Sequence, residues 1–248
     1  MTLVPQLLPW LMPLLLVYAR IQACLLAMPG LGERMIPIRV RVAAAMALTP
    51  LYAGAARPAS LPAPLQLAGL VAAEIVAGLA LGLMVRVVAM ALDMASTALA
   101  QSASMSAMLG ISEDMPPHPI GNLMHMAGMA LLMALGLPVL VCRLLTDSFA
   151  LKPAGLWPEI GQVWPAFLVL VVQGFTLALL IASPFVLGGL LFQLLSGVVS
   201  RVMPAMPVVF VAAPAAILLA LVALALLTPG LLAIWADAVL SIDLPGLR

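Results

Sequence analysis

A chain of 248 residues that is 65% hydrophobic and 8% charged, with a mean hydropathy of +1.26, lacks the charged quarter with which a water-soluble domain covers its surface. Its 10 basic and 9 acidic residues leave a net charge of +1, too little field to draw in a polyanion, so nucleic-acid binding is excluded. What remains is a protein of the lipid bilayer, with room for about six spans at roughly 20 apolar residues each.

Apolar segments run over about residues 3–28, 42–56, 64–92, 121–142, 166–199 and 205–236, joined by short polar connections. Leu, Ala and Met dominate them, and the roughly ten-residue alternation of a membrane barrel is missing, so helices are the spanning element. The expected fold class is all-α: a polytopic membrane protein of kinked, proline-interrupted helices and helical hairpins, forming one domain over residues 1–248. The opening MTLVPQLLPWLMPLLLVYAR has neither the basic start nor the small-residue cleavage site of a secretory signal, so the first apolar run is expected to stay in the mature chain.

Proline is the first complication. Among 22 prolines, Pro5, Pro9, Pro13, Pro138, Pro184, Pro204, Pro207 and Pro214 lie inside or beside apolar helices, each removing a backbone donor. Lipid offers the freed carbonyls no partner, which points to a subunit wrapped by other subunits.

Charge is the second. Arg20, Glu74, Arg86 and Asp93 fall within or at the edge of apolar runs, where an Arg or Asp costs about 2.5–3.5 kcal/mol at mid-helix. They are expected to face protein or water; the rival reading is helix-end anchors snorkelling to the interface. Arg86 and Asp93 share a helix face but stand about 10.5 Å apart along the axis, too far for a direct pair. Glu74, Gly78 and Gly82 recur every fourth residue and form one stripe, on which the glycines admit a close backbone and the carboxylate accepts hydrogen bonds from a neighbouring helix.

The stretch AQSASMSAMLGISEDMPP, residues 100–117, is small, Met-rich and weakly amphipathic. Its composition suits a deformable seal in a conduit, and equally an ordinary interhelical loop with methionines as filler. Catalytic signatures are missing: no phosphate loop followed by Lys, no G-x-S-x-G, no H-E-x-x-H. His118 and His125 have no acidic or thiol companion at metal spacing, and Pro116, Pro117 and Pro119 disfavour helix before residue 120. Cys24 and Cys142, without a CxxC partner, read as buried free thiols. No enzyme, metal or cofactor is expected.

The order of landmarks resembles the FliR family of flagellar and type III protein-export gates. PGLGERMIPIRVRVAAAMAL, with Pro29, Gly32, Ile36, Pro37 and Arg39, resembles its first connecting loop. The Glu74, Gly78, Gly82 stripe resembles its third helix, and Gln101 with the Met-rich run the segment after it. LLTDSFALKPAG, with Ser148, Phe149, Pro153 and Gly155, resembles a helix turning into a Pro-Gly loop. Ala182, Pro184, Gly197, Ser200, Arg201, Pro204 and Phe210 follow the order of the family's C-terminal hairpin. Where members usually carry Gln after the proline matching Pro204 and Asn two residues on, this chain has Ala205 and Pro207.

The resemblance implies a non-enzymatic subunit of the export gate in the bacterial inner membrane and flagellar basal body, or of the related virulence system. It implies FliP-like, FliQ-like and FlhB-like partners in the lipid bilayer and unfolded exported proteins as cargo. It also implies a channel plug at Met105, Ser106, Met108, Leu109 and Gly110, and assembly contacts at Glu74, Gly78, Gly82, Pro184, Arg201 and Pro204. A secondary transporter of a small solute, which also uses broken helices and intramembrane charge, is the alternative. Arg34, Arg39 and Arg41 would place the first loop in the cytoplasm by the positive-inside rule. That rule presumes ordinary spans, and a gate subunit with kinked helices need not obey it, so orientation stays open.

Overall fold

The structure is a computed structural model that describes residues 4–33, 36–55, 63–103, 119–157, 160–202 and 208–244. Every regular element among them is helical. In chain order they are α1 (Val4–Ala27), α2 (Ile38–Leu48) with a 3-10 turn (Thr49–Ala55), α3 (Pro64–Ala103), α4 (Pro119–Leu135), α5 (Leu137–Leu151), α6 (Ile160–Val202) and α7 (Val208–Leu240). Among the described residues three helical stretches are long and apolar enough to cross a bilayer, Leu65–Ala98, Trp164–Val202 and Leu221–Leu240, and Leu11–Ala27 of α1 is a shorter apolar helix. The sharply bent pair α4 and α5 makes a fourth if counted as one broken span. The apolar run at 42–56 is not one long α-helix among the described residues. It divides into the 11-residue α2 and the 3-10 turn, and a helix of that length reaches only about 16 Å across a hydrocarbon layer about 30 Å thick.

The helix break falls at Gly136, where φ is +113. Its carbonyl accepts from the N–H groups of Val139 and Leu140, and Pro138 stands in the first turn of α5, where a missing donor costs nothing. By contrast α1 continues through Pro9 and Pro13, α6 through Pro184 and α7 through Pro214. One proline deletes a single bond of the ladder, and the bonds on either side keep the helix.

The chain forms two compact units. One comprises Met1–Val88, Leu132–Val171 and Val239–Arg248; the other comprises Ala89–Leu131 and Val172–Ala238. In the first, Val17, Ile21, Cys24 and Met28 of α1, Met84 and Val85 of α3, and Leu144 and Leu145 of α5 are buried. Its first loop is tied down from two sides. Arg41 donates to the carbonyl of Ile36 at 2.9 Å and to that of Glu33 at 3.3 Å, while Arg86 pairs with the Glu33 carboxylate at 3.4 Å. The end of α7 is held in the same unit by Arg143, which donates to the Ile242 carbonyl at 2.8 Å and pairs with Asp243 at 2.9 Å.

In the second unit Trp235 is fully buried and its indole N–H donates to the Ala89 carbonyl at 3.1 Å. Gly128 makes room for the ring: a Cβ there would stand 3.1 Å from Trp235 Cζ3 and collide with Leu92. Along α6, Ala178, Ile181, Ala182 and Phe185 form the buried stripe. The rest of that helix is exposed apolar surface, with Leu179 at 67% and Leu195 at 66%, and α7 continues it with Leu226 at 74%. Against lipid such a surface is no penalty, since acyl chains are as apolar as Leu.

Trp235→Ala is expected to lose ring packing and the indole bond together, at the lower end of about 3–5 kcal/mol because lipid removes most of the solvent-transfer part. Unfolding in graded detergent should show the loss, and Trp235→Phe should recover most of the packing without the hydrogen bond.

Candidate functional site

The densest polar cluster lies in the first unit, in the middle of its apolar core. Arg20 of α1 and Glu74 of α3 are 1% and 0% exposed. The guanidinium grips the carboxylate with two parallel bonds, Nε to Oε2 at 2.7 Å and Nη2 to Oε1 at 3.2 Å. This fork geometry is the strongest form of the pair. Nη1 faces the other way and donates to the carbonyls of Lys152 at 2.9 Å and Ser148 at 3.3 Å and to Ser148 Oγ at 3.1 Å. The Phe149 ring lies under the guanidinium, its centroid 4.3 Å from Cζ, adding a cation–π contact. Glu74 Oε1 accepts a third bond from the Gly155 backbone N–H at 2.7 Å.

Each participant sits where its local structure puts it. Lys152 closes α5 with its N–H on the Ser148 carbonyl, and beyond it the chain turns through Gly155, whose φ of +96 is a left-handed conformation that glycine adopts without Cβ strain. That turn aims the Gly155 N–H back at Glu74. Phe149 is also stacked against Tyr52, with ring centroids 5.5 Å apart, and the Tyr52 hydroxyl donates to the Cys142 carbonyl at 2.9 Å. Arg20 and Glu74 thus join α1, α3, α5 and the loop after α5 at one point. Snorkelling does not describe these two side chains, for both are sealed from the surface.

Below Glu74 on α3, Gly78 and Gly82 face α1. A Cβ on Gly78 would run into the Arg20 carbonyl and stand 2.9 Å from Ala23 Cβ; one on Gly82 would stand 2.6 Å from the Cys24 carbonyl and press on Ala27 Cβ. The facing alanines of α1 are Ala23 and Ala27, both buried. Small residues therefore meet small residues, and the backbones come close enough to put the charged fork in register. That alanine spacing is visible in the sequence, as is Arg20, but nothing local ties either to α3.

The other sequence candidates lie elsewhere. Pro184 and Arg201 are exposed on α6. Pro204 and the residues Met105, Ser106, Met108, Leu109 and Gly110 lie outside the described residues, as does His118. Arg86 and Asp93 do not meet each other: Arg86 goes to Glu33, and Asp93 is met by His125 of α4 at 2.6 Å. Among the described residues no group of three potential metal ligands occurs. Cys24 is buried and Cys142 partly buried, both free thiols.

Two comparisons bear on this arrangement. The family model described as "Bacterial export proteins, family 1" matches residues 11–242. A curated protein of Caulobacter vibrioides, the flagellar biosynthetic protein FliR, is 29% identical over 227 residues, which cover 90% of this chain and 90% of that protein. The family match takes in the charged fork, the glycine stripe and the turn at Gly155 together.

Removing one partner of a buried pair leaves the other uncompensated, at a cost of about 3–5 kcal/mol. Arg20→Ala and Glu74→Ala are each expected to reduce the folded fraction in detergent by that order, and the double variant Arg20→Met/Glu74→Leu to recover part of it, the Lys152 carbonyl and Gly155 N–H still lacking their partners. Equal stability of the parent and both single variants, read from graded-detergent unfolding, would show the fork to be dispensable. Gly82→Val should separate α1 from α3, since the obstructing atoms are backbone, and should be seen as faster hydrogen exchange along α1.

Proposed function

The chain belongs to the FliR family, the bacterial export proteins of family 1, and from that premise we propose that it is a non-enzymatic subunit of a flagellar-type protein export gate, helping to form and close the channel through which unfolded substrates cross the inner membrane. That it is a membrane component of flagellar or type III export follows from the family itself. The observation that carries the finer reading is the extent of the match: residues 11–242 take in every described helix apart from the first residues of α1. The Caulobacter relative is a flagellar biosynthetic protein, which favours flagellar over virulence use.

The architecture suits a role completed by others. The exposed apolar sides of α6 and α7 need lipid or a neighbouring subunit, and FliP-like, FliQ-like and FlhB-like proteins are the partners proposed for them in the basal body. In this reading the charged fork and its glycine stripe make α1, α3 and α5 a rigid wall, while the plug is the connection between α3 and α4, with Met105, Ser106, Met108, Leu109 and Gly110 as the sealing residues. Small and flexible apolar side chains close a pore by excluding water, without a strong bond that opening would have to break. Driving energy comes from the membrane gradient and the partner subunits.

Gentle-detergent purification of the tagged chain should bring FliP-like and FliQ-like subunits with it. Deletion of residues 105–110 should leave that assembly in place and raise ion leakage of cells expressing it. Unchanged leakage with intact assembly would remove the plug from the proposal; recovery of the chain alone as a stable particle that moves a small solute would replace the proposal with the transporter.

A further inference from the structure

A second acid–base pair lies apart from the Arg20–Glu74 fork, in the unit made by residues 89–131 and 172–238. His125 Nδ1 of α4 stands 2.6 Å from Asp93 Oδ1 of α3. At that separation two lone pairs would repel, so Nδ1–H donates to the carboxylate and Nε2 is the atom at which the second ring proton comes and goes. With Nε2 protonated the pair is imidazolium and carboxylate, with no net charge. Without it the pair carries a full negative charge between two helices of apolar residues.

Among the described residues of this unit few groups could balance that charge; Arg86, two turns back on α3, is held by Glu33. In the described helices of this unit, the remaining charged side chains are Arg201 in the last turn of α6 and Asp237 near the end of α7, both exposed. Neither α6 nor α7 adds another titratable side chain within the unit. From α7 the neighbours of this hairpin are Trp235, which bonds the Ala89 carbonyl, and Thr228, whose hydroxyl lies 3.9 Å from Met124 Sδ. The pair is part-buried, with His125 at 27% and Asp93 at 42% exposure. It also occupies a particular place: about 15 Å before α3 ends at Ala103 and about 9 Å after α4 begins at Pro119, at 1.5 Å per residue. It therefore crosses between the two legs of the hairpin whose connection is residues 104–118. One turn nearer that connection the legs touch again, where a Cβ on Gly121 would stand 3.7 Å from Ser96 Oγ.

We propose that Asp93 and His125 form a proton-binding clasp on the α3–α4 hairpin. Uptake of one proton at Nε2 makes the pair a balanced ion pair and draws the two legs together. Release of that proton reduces the ion pair to a hydrogen bond from a neutral imidazole and leaves the carboxylate charge unbalanced, so the legs are held less tightly. The consequence for closure of a channel by residues 105–110 rests on the function proposed above; the clasp itself does not.

The geometry supplies the probe. Ser96→Cys with Gly121→Cys places two thiols on facing legs, and their oxidation to a disulfide in native membranes, read by mass spectrometry of the linked peptides, reports how closely the legs stay together. Thiol ionisation is removed by dividing each rate by that of the same cysteine pair carrying His125→Gln. As pH rises the ratio is expected to fall, with a slope of at most about tenfold per pH unit, the limit for one proton. Asp93→Asn should flatten it. A ratio independent of pH, or a response that survives Asp93→Asn, would overturn the clasp; if the His125→Gln chain does not accumulate, Asp93→Asn serves as the reference, and parallel rates with and without it overturn the clasp equally. Ion leakage after deletion of residues 105–110 plays no part in this measurement, so failure of the clasp and failure of the plug are told apart.

Discussion

A guanidinium and a carboxylate sealed inside an apolar core form the constraint on which the first unit depends. Neither charge survives there alone, because desolvation outweighs any single contact. Arg20 is tolerated because Glu74 takes two of its donors and the end of α5 takes the rest, and Glu74 because Gly155 adds a third donor to its oxygens. The network specifies more than it stabilises: it can be satisfied only when α1, α3 and the turn after α5 arrive in one register. Apolar helices in lipid have few other means of choosing a neighbour, since every greasy face suits every other.

Close packing provides the remaining selectivity, and both units obtain it by removing side-chain bulk. Gly78 and Gly82 against Ala23 and Ala27 let two backbones touch; Gly128 against Trp235 lets one large ring sink between helices. These are opposite uses of the same residue, one to bring main chains together and one to admit a plane of atoms. In contrast α6 and α7 present long stretches of exposed Leu and Val with no such matching, and Gly188 and Gly197 of α6 have nothing within reach.

Composition and apolar run length are enough to read the helical membrane class, and the period of four makes the Glu74, Gly78, Gly82 stripe visible. Which helix the stripe meets is not visible, because Arg20 is 54 residues away from Glu74 in sequence and the pairing is made by the fold. The same holds for Asp93 and His125, which look unrelated until α3 and α4 lie side by side. Ser148, Phe149 and Gly155 are recognisable in the sequence only through resemblance; the structure supplies the reason, since all three touch the fork. Proline is legible in the sequence as a lost backbone donor, while its outcome depends on the ladder around it: α6 continues through Pro184, and the break before Pro138 coincides with a left-handed glycine at 136.

The wide sequence separation within the fork has a consequence for synthesis. Arg20 emerges from the ribosome with α1, Glu74 follows 54 residues later, and the Lys152 carbonyl 132 residues later. During that interval α1 carries a cation that costs about 2.5–3.5 kcal/mol at mid-span in lipid, a cost that only the later elements remove. Settling of α1 is thereby tied to the arrival of chain 132 residues downstream.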